Sequence, residues 1–261
     1  MKLRGVLAEA AVLFSAVAAA GGAFAGPVGV TPSFSVDVTA GSSAPLHSTP
    51  ALTANPDGSY TGRVSGSVAN VVSIEFDASL RTDPTISGSF TLTNLSSSTQ
   101  TFSVAASLSG LLPIAGPTKI GGFFGDATYS DANSDGDVAI ASSAFYRAEI
   151  DGSGVHDLGN FSIDDTSGPG VFGTISREAF GEPIPHDAGP GVSTSIGVAF
   201  PAFSLSAGDS VMVPFEFVVS VPEPAFAPLF AITTAVIFCA LAQKRASYRP
   251  FRSGRIPPTG G

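Results

Sequence analysis

The sequence contains little of the chemistry on which many enzymes depend. It has one cysteine, three histidines, two methionines and no tryptophan, and only 13% of its 261 residues are charged. The single cysteine, Cys239, lies in an apolar stretch near the C-terminus, so the residues before it have no thiol. Disulfides, Cys-based zinc sites and thiol catalysis are therefore excluded for that part of the chain.

Basic side chains are scarce in the middle of the chain. Residues 26–221 carry five Lys or Arg against nineteen Asp or Glu, a net charge of −14, whereas both ends are net basic. Phosphate binding needs clustered Lys and Arg, so we predict that nucleic acid is not a partner. Basic ends around an acidic middle are instead typical of an exported protein that is processed at a membrane.

The first 25 residues have the order of a secretory signal peptide. Lys2 and Arg4 precede the apolar residues 10–20, and small residues follow at Ala23 and Ala25. A signal peptidase needs small side chains at those two positions, so we predict cleavage after Ala25. The apolar run is too short for a permanent membrane helix, which needs about 20 residues.

The C-terminal region combines a polar element, an apolar span and basic residues. Pro222, Glu223 and Pro224 come first, residues 225–242 are almost wholly apolar, and Lys244 and Arg245 follow. At 1.5 Å per residue this span forms a helix about 27 Å long, enough to cross a bilayer. The positive charge behind it predicts that the tail, residues 246–261, stays in the cytoplasm and that the acidic body is exported.

These C-terminal residues resemble the PEP-CTERM sorting signal of bacterial envelope proteins, a segment also described as the C-terminal domain of some ice-binding proteins. The matching residues are Pro222-Glu223-Pro224, the apolar span and the pair Lys244-Arg245. The resemblance implies that an exosortase-like membrane protease acts on residues 222–245 and releases or attaches the body at the cell surface. It implies sorting and no activity, and a retained membrane anchor is the alternative.

Apolar residues alternate with small or polar ones in several runs between the two ends. The clearest runs are Phe34, Val36 and Val38; Ile74, Phe76, Ala78 and Leu80; Phe102, Val104, Ala106 and Leu108; and Val211, Val213, Phe215, Phe217, Val219 and Val221. Side chains of a strand point alternately to two faces, so each run has one buried face and one hydrated face. We therefore predict an all-β body at residues 26–221, an antiparallel β-sandwich of seven to ten strands that is jelly-roll-like or immunoglobulin-like.

Turn residues predict how these strands connect. Three serines separate residues 86–95 from residues 99–108, and residues 206–209 separate 196–205 from 210–221, which are lengths typical of β-hairpins. Pro214 cannot donate a backbone hydrogen bond, which predicts an edge or a bulge in the last strand. The Gly- and Pro-rich residues 111–125 and 181–191 predict loops.

Residues 131–137 resemble the first half of an EF-hand or dockerin calcium loop. Oxygen-bearing side chains occupy positions 1, 3, 5 and 7, namely Asp131, Asn133, Asp135 and Asp137. Calcium takes six to eight oxygen ligands, but Ser142 stands where the position-12 carboxylate is expected. Asp126 or another acidic loop would have to complete a calcium site, and a metal-free acidic turn is the alternative.

Other titratable residues offer weaker candidate chemistry. The histidines are His47, His156 beside Asp157, and His186 beside Asp187; adjacent or alternate carboxylates are Asp164 with Asp165 and Glu75 with Asp77. No Gly-x-Ser-x-Gly elbow or His-Glu-x-x-His site accompanies them. Residues 168–173 have the spacing of a dinucleotide fingerprint without the helix it needs, and we interpret them as a turn that enters a strand. We predict no catalytic residue.

These features predict a non-catalytic exported protein of the bacterial cell surface or extracellular matrix, with exopolysaccharide as a candidate partner. The first alternative is a carbohydrate- or ice-binding module, which needs flat arrays of outward Thr or exposed aromatic rings. Tyr60, Tyr129 and Tyr146 are the amphipathic rings of the body. The second alternative is a secreted hydrolase, which needs two carboxylates or a Ser-His pair converging in one cleft.

Overall fold

β-Strands make up all the regular structure of the described residues. The computed structural model describes residues 31–41, 43, 45–131, 138–165 and 172–221. It contains 18 strands there, and every strand pair is antiparallel. The prediction of an all-β body is confirmed for these residues, whereas the predicted strand number was too low because many strands are short.

The strands are numbered along the chain. They are β1 (Ser33–Ala40), β2 (Leu46–Ser48), β3 (Thr53–Ala54), β4 (Tyr60–Val68), β5 (Val72–Arg81), β6 (Thr85–Asn94), β7 (Gln100–Ser109), β8 (Thr118–Phe124), β9 (Ala127–Ser130), β10 (Val138–Ser142), β11 (Tyr146–Ile150), β12 (Ser153–Leu158), β13 (Phe161–Asp165), β14 (Phe172–Ile175), β15 (Glu178–Phe180), β16 (Asp187–Gly189), β17 (Ser195–Leu205) and β18 (Ser210–Ser220).

Two sheets contain all of these strands. Sheet A has eight, in the order β12-β11-β17-β7-β1-β2, and β10 pairs with both β17 and β13. Sheet B has ten, in the order β14-β9-β18-β6-β5-β4-β3, and β8 pairs with β18, β15 and β16. The long strands β17 and β18 are therefore each paired on both sides within their own sheet.

The inward faces of the two sheets are apolar and meet in one core. In the longest predicted run, five side chains are at most 2% exposed: Val211, Val213, Phe215, Phe217 and Val219. Rings from opposite sheets contact each other, with 4.7 Å between the centroids of Phe90 and Phe200 and 5.8 Å between those of Phe34 and Phe76. Such pairs add about 0.5–1.5 kcal/mol beyond the burial of their area, so phenylalanine both fills the core and joins the sheets.

The two connections predicted as hairpins instead join one sheet to the other. Strand β6 belongs to sheet B and β7 to sheet A, while β17 belongs to sheet A and β18 to sheet B. Because β6 pairs with β18 and β7 pairs with β17, a two-stranded ribbon bends as a unit around the end of the core. The hairpin prediction was wrong, since loop length alone does not distinguish a turn within a sheet from a corner between sheets.

The side chain of Asn94 holds both corners together. Asn94 is fully buried, and its Nδ2 donates to the carbonyl oxygens of Ser98, Leu205 and Ser206 at 2.9, 3.0 and 2.8 Å. Its Oδ1 accepts from the backbone N–H and the hydroxyl of Ser96 at 2.9 and 2.7 Å. One amide thus links carbonyl groups of both connections, and it adds to the bonds that Ser98 accepts from Ser96 Oγ and Ser206 accepts from Asp209 N–H.

Pro214 occupies a central strand rather than an edge. Strand β18 pairs with β6 on one side and with β9 and then β8 on the other. The Pro214 carbonyl accepts a 2.7 Å hydrogen bond from Gly125 N–H, in the segment between β8 and β9. The backbone nitrogen and carbonyl of a strand residue point to the same side. The nitrogen of Pro214, which has no hydrogen, therefore faces the segment between β8 and β9, where the pairing with β18 is interrupted. The predicted edge was wrong because a broken neighbouring strand also accommodates proline.

The two Gly-rich regions predicted as loops contain strands that pair with each other. Strand β8 lies within residues 111–125 and β16 within residues 181–191, with Ile120 opposite Asp187. Gly122 is required in β8 because a Cβ there would lie 2.7 Å from both the Glu216 carbonyl and the Tyr146 hydroxyl. That hydroxyl, from sheet A, donates to the Glu216 carbonyl of sheet B at 2.9 Å. Glycine here permits close approach rather than a turn.

Loss of the Asn94 side chain should destabilise the fold strongly. We expect Asn94→Ala to lower the free energy of unfolding by about 3 kcal/mol, because the amide makes five hydrogen bonds, one of them to the buried Leu205 carbonyl. Asn55→Ala is the matched control, since the Asn55 amide donates a single 2.9 Å bond to Ser59 Oγ in a surface turn; we expect it to cost about 1 kcal/mol. Urea unfolding measures both values, and similar losses would contradict the role of Asn94.

Candidate functional site

The predicted processing signals lie outside the described residues. These are Ala23 and Ala25 of the signal peptide, Pro222, Glu223 and Pro224, the span 225–242, and Lys244 and Arg245. Among the residues that the structure does describe, no helix is long and apolar enough to cross a membrane. Signal cleavage and sorting therefore stay predictions from the sequence.

The predicted calcium loop is described only at its first residue. Asp131 follows β9 and is 5% exposed, whereas Asn133, Asp135 and Asp137 lie outside the described residues. Asp126 precedes β9 and accepts a 2.9 Å hydrogen bond from Arg177 N–H. Because β9 extends between them, Asp126 and Asp131 lie about 16 Å apart, too far to bind one ion together. The described residues contain no group of three or more His, Cys, Asp or Glu placed to share a metal ion.

His47 lies between a carboxylate and a hydroxyl at the edge of sheet A. Its Nδ1 is 2.7 Å from Asp37 Oδ1, and its Nε2 is 3.3 Å from Thr49 Oγ1. This order resembles a catalytic triad, but the side chains of His47 and Asp37 are 61% and 48% exposed. Solvent screens such a pair, whereas a catalytic pair gains strength from a water-excluded site. We therefore assign these residues to the pairing of β2 with β1, where Asp37 stands opposite His47.

The other two histidines do not meet a nucleophile in the described residues. The His156 ring stacks on Phe180, with 4.1 Å between the centroids and 9° between the planes. His186 Nδ1 lies 3.9 Å from Asp187 Oδ1 on the surface. Asp157, beside His156 in sequence, is instead bound by Arg147 through two N–O contacts of 2.7 and 2.9 Å.

The Arg147-Asp157 pair braces the hairpin of β11 and β12. The hydrogen bonds from Arg147 lower the pKa of Asp157, and the same bonds raise the pKa of Arg147. Burial raises the pKa of Glu149, two residues along, although the charge of Arg147 opposes this. The guanidinium of Arg147 donates to both carboxylate oxygens of Asp157. We therefore interpret this cluster as a structural brace rather than an acid-base pair.

The structure describes the side chains of one of the two predicted carboxylate pairs. The side chains of Asp164 and Asp165 lie outside its described parts. Glu75 and Asp77 stand on the outward face of β5, where both approach Arg63 of β4: Nη2 is 3.9 Å from Glu75 and Nε is 3.4 Å from Asp77. These carboxylates therefore share one guanidinium on an exposed sheet face.

A groove of about 480 Å³ runs beside Arg63 on the outward face of sheet B. Gly62, Ala78 and Gly88 stand opposite one another on β4, β5 and β6 and border the groove with their backbone, while their side-chain positions face the core. A Cβ on Gly88 would lie 2.1 Å from the Asp77 carbonyl, so the backbones approach closely there. Polar side chains form the walls: Thr53, Thr61, Arg63, Asp77 and Ser89.

Arg63 differs from the other arginines of the described residues. Arg81, Arg147 and Arg177 each donate a hydrogen bond to a carboxylate, at 3.2, 2.7 and 2.7 Å. Arg63 makes only the two longer ion-pair contacts, and its side chain is 67% exposed. A guanidinium has five N–H donors. The guanidinium of Arg63 lines the groove and makes only long contacts with the protein.

The carboxylate of Asp151 accepts several hydrogen bonds from the backbone at the surface. This residue begins the turn between β11 and β12 with a φ of 52°, followed by Gly152 at 74°. Its carboxylate accepts the backbone N–H groups of Ser193, Thr194 and Ser195 at 2.8, 2.8 and 3.0 Å. Burial alone would raise the pKa of Asp151, but these hydrogen bonds outweigh it and lower the pKa to about 2. The residue anchors the start of β17.

Among the described residues, the aromatic ring that is largely exposed is not one of the tyrosines considered above. Tyr146 is fully buried, Tyr129 is 9% exposed and Tyr60 packs against the core. Phe172, the first residue of β14, is 78% exposed and stands opposite Ser130 of β9. The sequence indicated only that a turn enters a strand here, and a lone Phe after a Gly-Pro turn carries no signal of exposure.

Comparison with protein-family models, curated proteins and solved structures found no match to this chain. A functional proposal therefore depends on its own residues.

The Asp151 anchor should make stability depend on acid pH. A carboxylate with a pKa of about 2 in the folded state and 3.8 as its ordinary value stabilises the fold above pH 3.8. This contribution is lost as the pH falls through about 2, because protonation removes an acceptor charge from three N–H groups. Thermal unfolding between pH 2 and pH 5 should show a smaller acid loss for Asp151→Asn than for the unmodified protein.

Asp83→Asn is the control for that series. Asp83 is exposed in the turn between β5 and β6, and its side chain makes no hydrogen bond with the described residues. We expect its acid loss to equal that of the unmodified protein. An Asp151→Asn profile parallel to that of Asp83→Asn would contradict the anchor.

Proposed function

We propose that this chain is an exported, non-catalytic protein of the bacterial cell surface or extracellular matrix. The observation that carries the proposal is the order of its segments: a signal peptide at residues 1–25, an acidic all-β body, and the PEP-CTERM-like residues 222–245. A signal peptidase removes the first segment and an exosortase-like protease of the bacterial membrane acts on the last. Residues 246–261 stay in the cytoplasm until that step.

The outward faces of the body support a role in contact with hydrated polymer. Along β4, β5 and β6 the outward positions are mostly hydroxyl side chains, among them Ser65, Ser67, Ser73, Ser79 and Ser87. Hydroxyl groups hydrate a sheet face without adding charge. The titratable side chains of these faces occur as exposed ion pairs, with the Arg63 group as the example beside a groove. This distribution favours structure or adhesion over catalysis.

The bent ribbon favours a jelly-roll-like rather than an immunoglobulin-like sandwich. Paired strands β6 and β18 continue into paired strands β7 and β17 across the end of the core. A ribbon folded over itself in this way is how a jelly roll places its two sheets face to face.

Cell fractionation tests the sorting. In a host with the exosortase we expect a shortened chain at the cell surface or in the medium, and in a host lacking it a longer chain that stays in the inner membrane. Replacement of Pro222-Glu223-Pro224 by three alanines should reproduce the second result in the first host. Immunoblots of each fraction measure size and location, and equal size and location in both hosts would contradict the proposal.

A further inference from the structure

Strand β14 (Phe172–Ile175) lies at an open edge of sheet B. It pairs with β9 on one side, and no other described strand pairs with its other side. Natural proteins commonly protect such edges from a further strand with charged side chains or proline. The two other described strands of at least four residues that pair on one side only, β12 and β13, carry Asp157 and the pair Asp164-Asp165. Strand β14 carries neither a charge nor a proline.

The same strand carries the most exposed large apolar side chain of the described residues. Phe172 is 78% exposed and lies with Thr174 on the outward face of the sheet, whereas Ile175 is 7% exposed on the core side. Gly173 also faces the core, where a Cβ would overlap the Tyr129 hydroxyl. One exposed apolar side chain is ordinary by itself. Here it coincides with an unprotected edge, so apolar area and backbone groups are available at one place.

The backbone groups on the open side belong to Phe172 and Thr174. Alternate residues of an antiparallel strand direct their N–H and C=O groups to opposite sides. The Pro214 carbonyl accepts a hydrogen bond on the side of β18 that faces β8 and β9. The registers of β18 with β9 and of β9 with β14 then direct Gly173 and Ile175 toward β9. Two N–H and two C=O groups, those of Phe172 and Thr174, therefore face away from the sheet.

A second copy of β14 is complementary to these groups. When it runs antiparallel about a two-fold axis at Gly173, Phe172 stands opposite Thr174 of the second copy, and each such pair exchanges two backbone hydrogen bonds. The two Phe172 rings are then on one face in diagonal positions, about 7–8 Å apart at the backbone and within reach of each other. The second copy thus supplies both the backbone partners and the apolar contact, and it brings no like charges together.

We propose that β14 is a self-association edge, through which two copies of this chain join their B sheets into one continuous sheet. The inference goes beyond the proposed function and does not depend on it, because it concerns residues of the all-β body alone. Each copy contributes four residues to the new strand pair, so the interface is small and the dimer forms in a concentration-dependent equilibrium with the monomer.

Sedimentation equilibrium of the full-length chain in a neutral detergent measures this association between about 1 and 500 μM. We expect Phe172→Ser and Thr174→Pro each to weaken dimerisation at least about tenfold. Proline at position 174 removes an N–H of the open side and no bond to β9, so the monomer keeps its fold. Unchanged melting curves would show this.

Thr174→Ala and Leu112→Ser are the matched controls. The first keeps the backbone N–H that proline removes. The second removes an apolar side chain that is 44% exposed and lies outside the strands. Both chains should dimerise within about twofold of the unmodified chain.

Amide hydrogen exchange locates the contact. The N–H groups of Phe172 and Thr174 should exchange at least about tenfold more slowly where the dimer predominates than where the monomer does, because only the dimer gives them partners. The N–H of Gly173 bonds to β9 in both states and should change much less.

Three results would overturn the inference. They are a chain that stays monomeric over the whole concentration range, equal association of the unmodified chain, Phe172→Ser and Thr174→Pro, and exchange of the two edge N–H groups that does not depend on concentration. Equal association would assign the contact to another surface, such as the apolar residues 225–242. Should Thr174→Pro fail to fold, Phe172→Ser and the exchange rates of the unmodified chain still decide.

Discussion

The amide of Asn94 is the contact on which the arrangement of the two sheets depends. It is buried at the point where a paired ribbon leaves sheet B and enters sheet A, and it bonds to carbonyl groups of both connections. A buried carbonyl without a partner costs about 1–3 kcal/mol, so the bond from Asn94 to the buried Leu205 carbonyl stabilises the bend. Once the corner is fixed, β7 lies beside β17 and β6 beside β18, and their inward phenylalanines meet.

This corner leaves the outward sheet faces available for interaction. Apolar side chains are buried on the inward face of each strand, and Asn94 and Tyr146 donate hydrogen bonds from one sheet to the other. The outward positions of β4 to β6 are then constrained only by hydration and pairing. Serine and threonine occupy most of them, and Arg63 and Asp77 are exposed there as well.

Strands and their buried faces could be predicted from the sequence, whereas their partners could not. The run from Val211 to Val219 is buried as its alternation indicates, because a period of two is a local property. The corner at Asn94, the β8-β16 pairing and the position of Pro214 depend on residues far apart in sequence. The Asp151-Gly152 turn carries the Asp-Gly dipeptide that is typical of two-residue hairpin turns. The groove could not be predicted because it requires the register of β4, β5 and β6.

Nuclear Overhauser contacts between strands test the bent ribbon most directly. The account predicts contacts of Ala105 with Ala199 within sheet A and of Ser87 with Glu216 within sheet B, because these residues are directly paired. Hairpins at the two connections would instead give contacts of Leu92 with Phe102 and of Phe203 with Met212 along continuous ladders. Observation of the first set supports the corner held by Asn94, and observation of the second set in its place would contradict it.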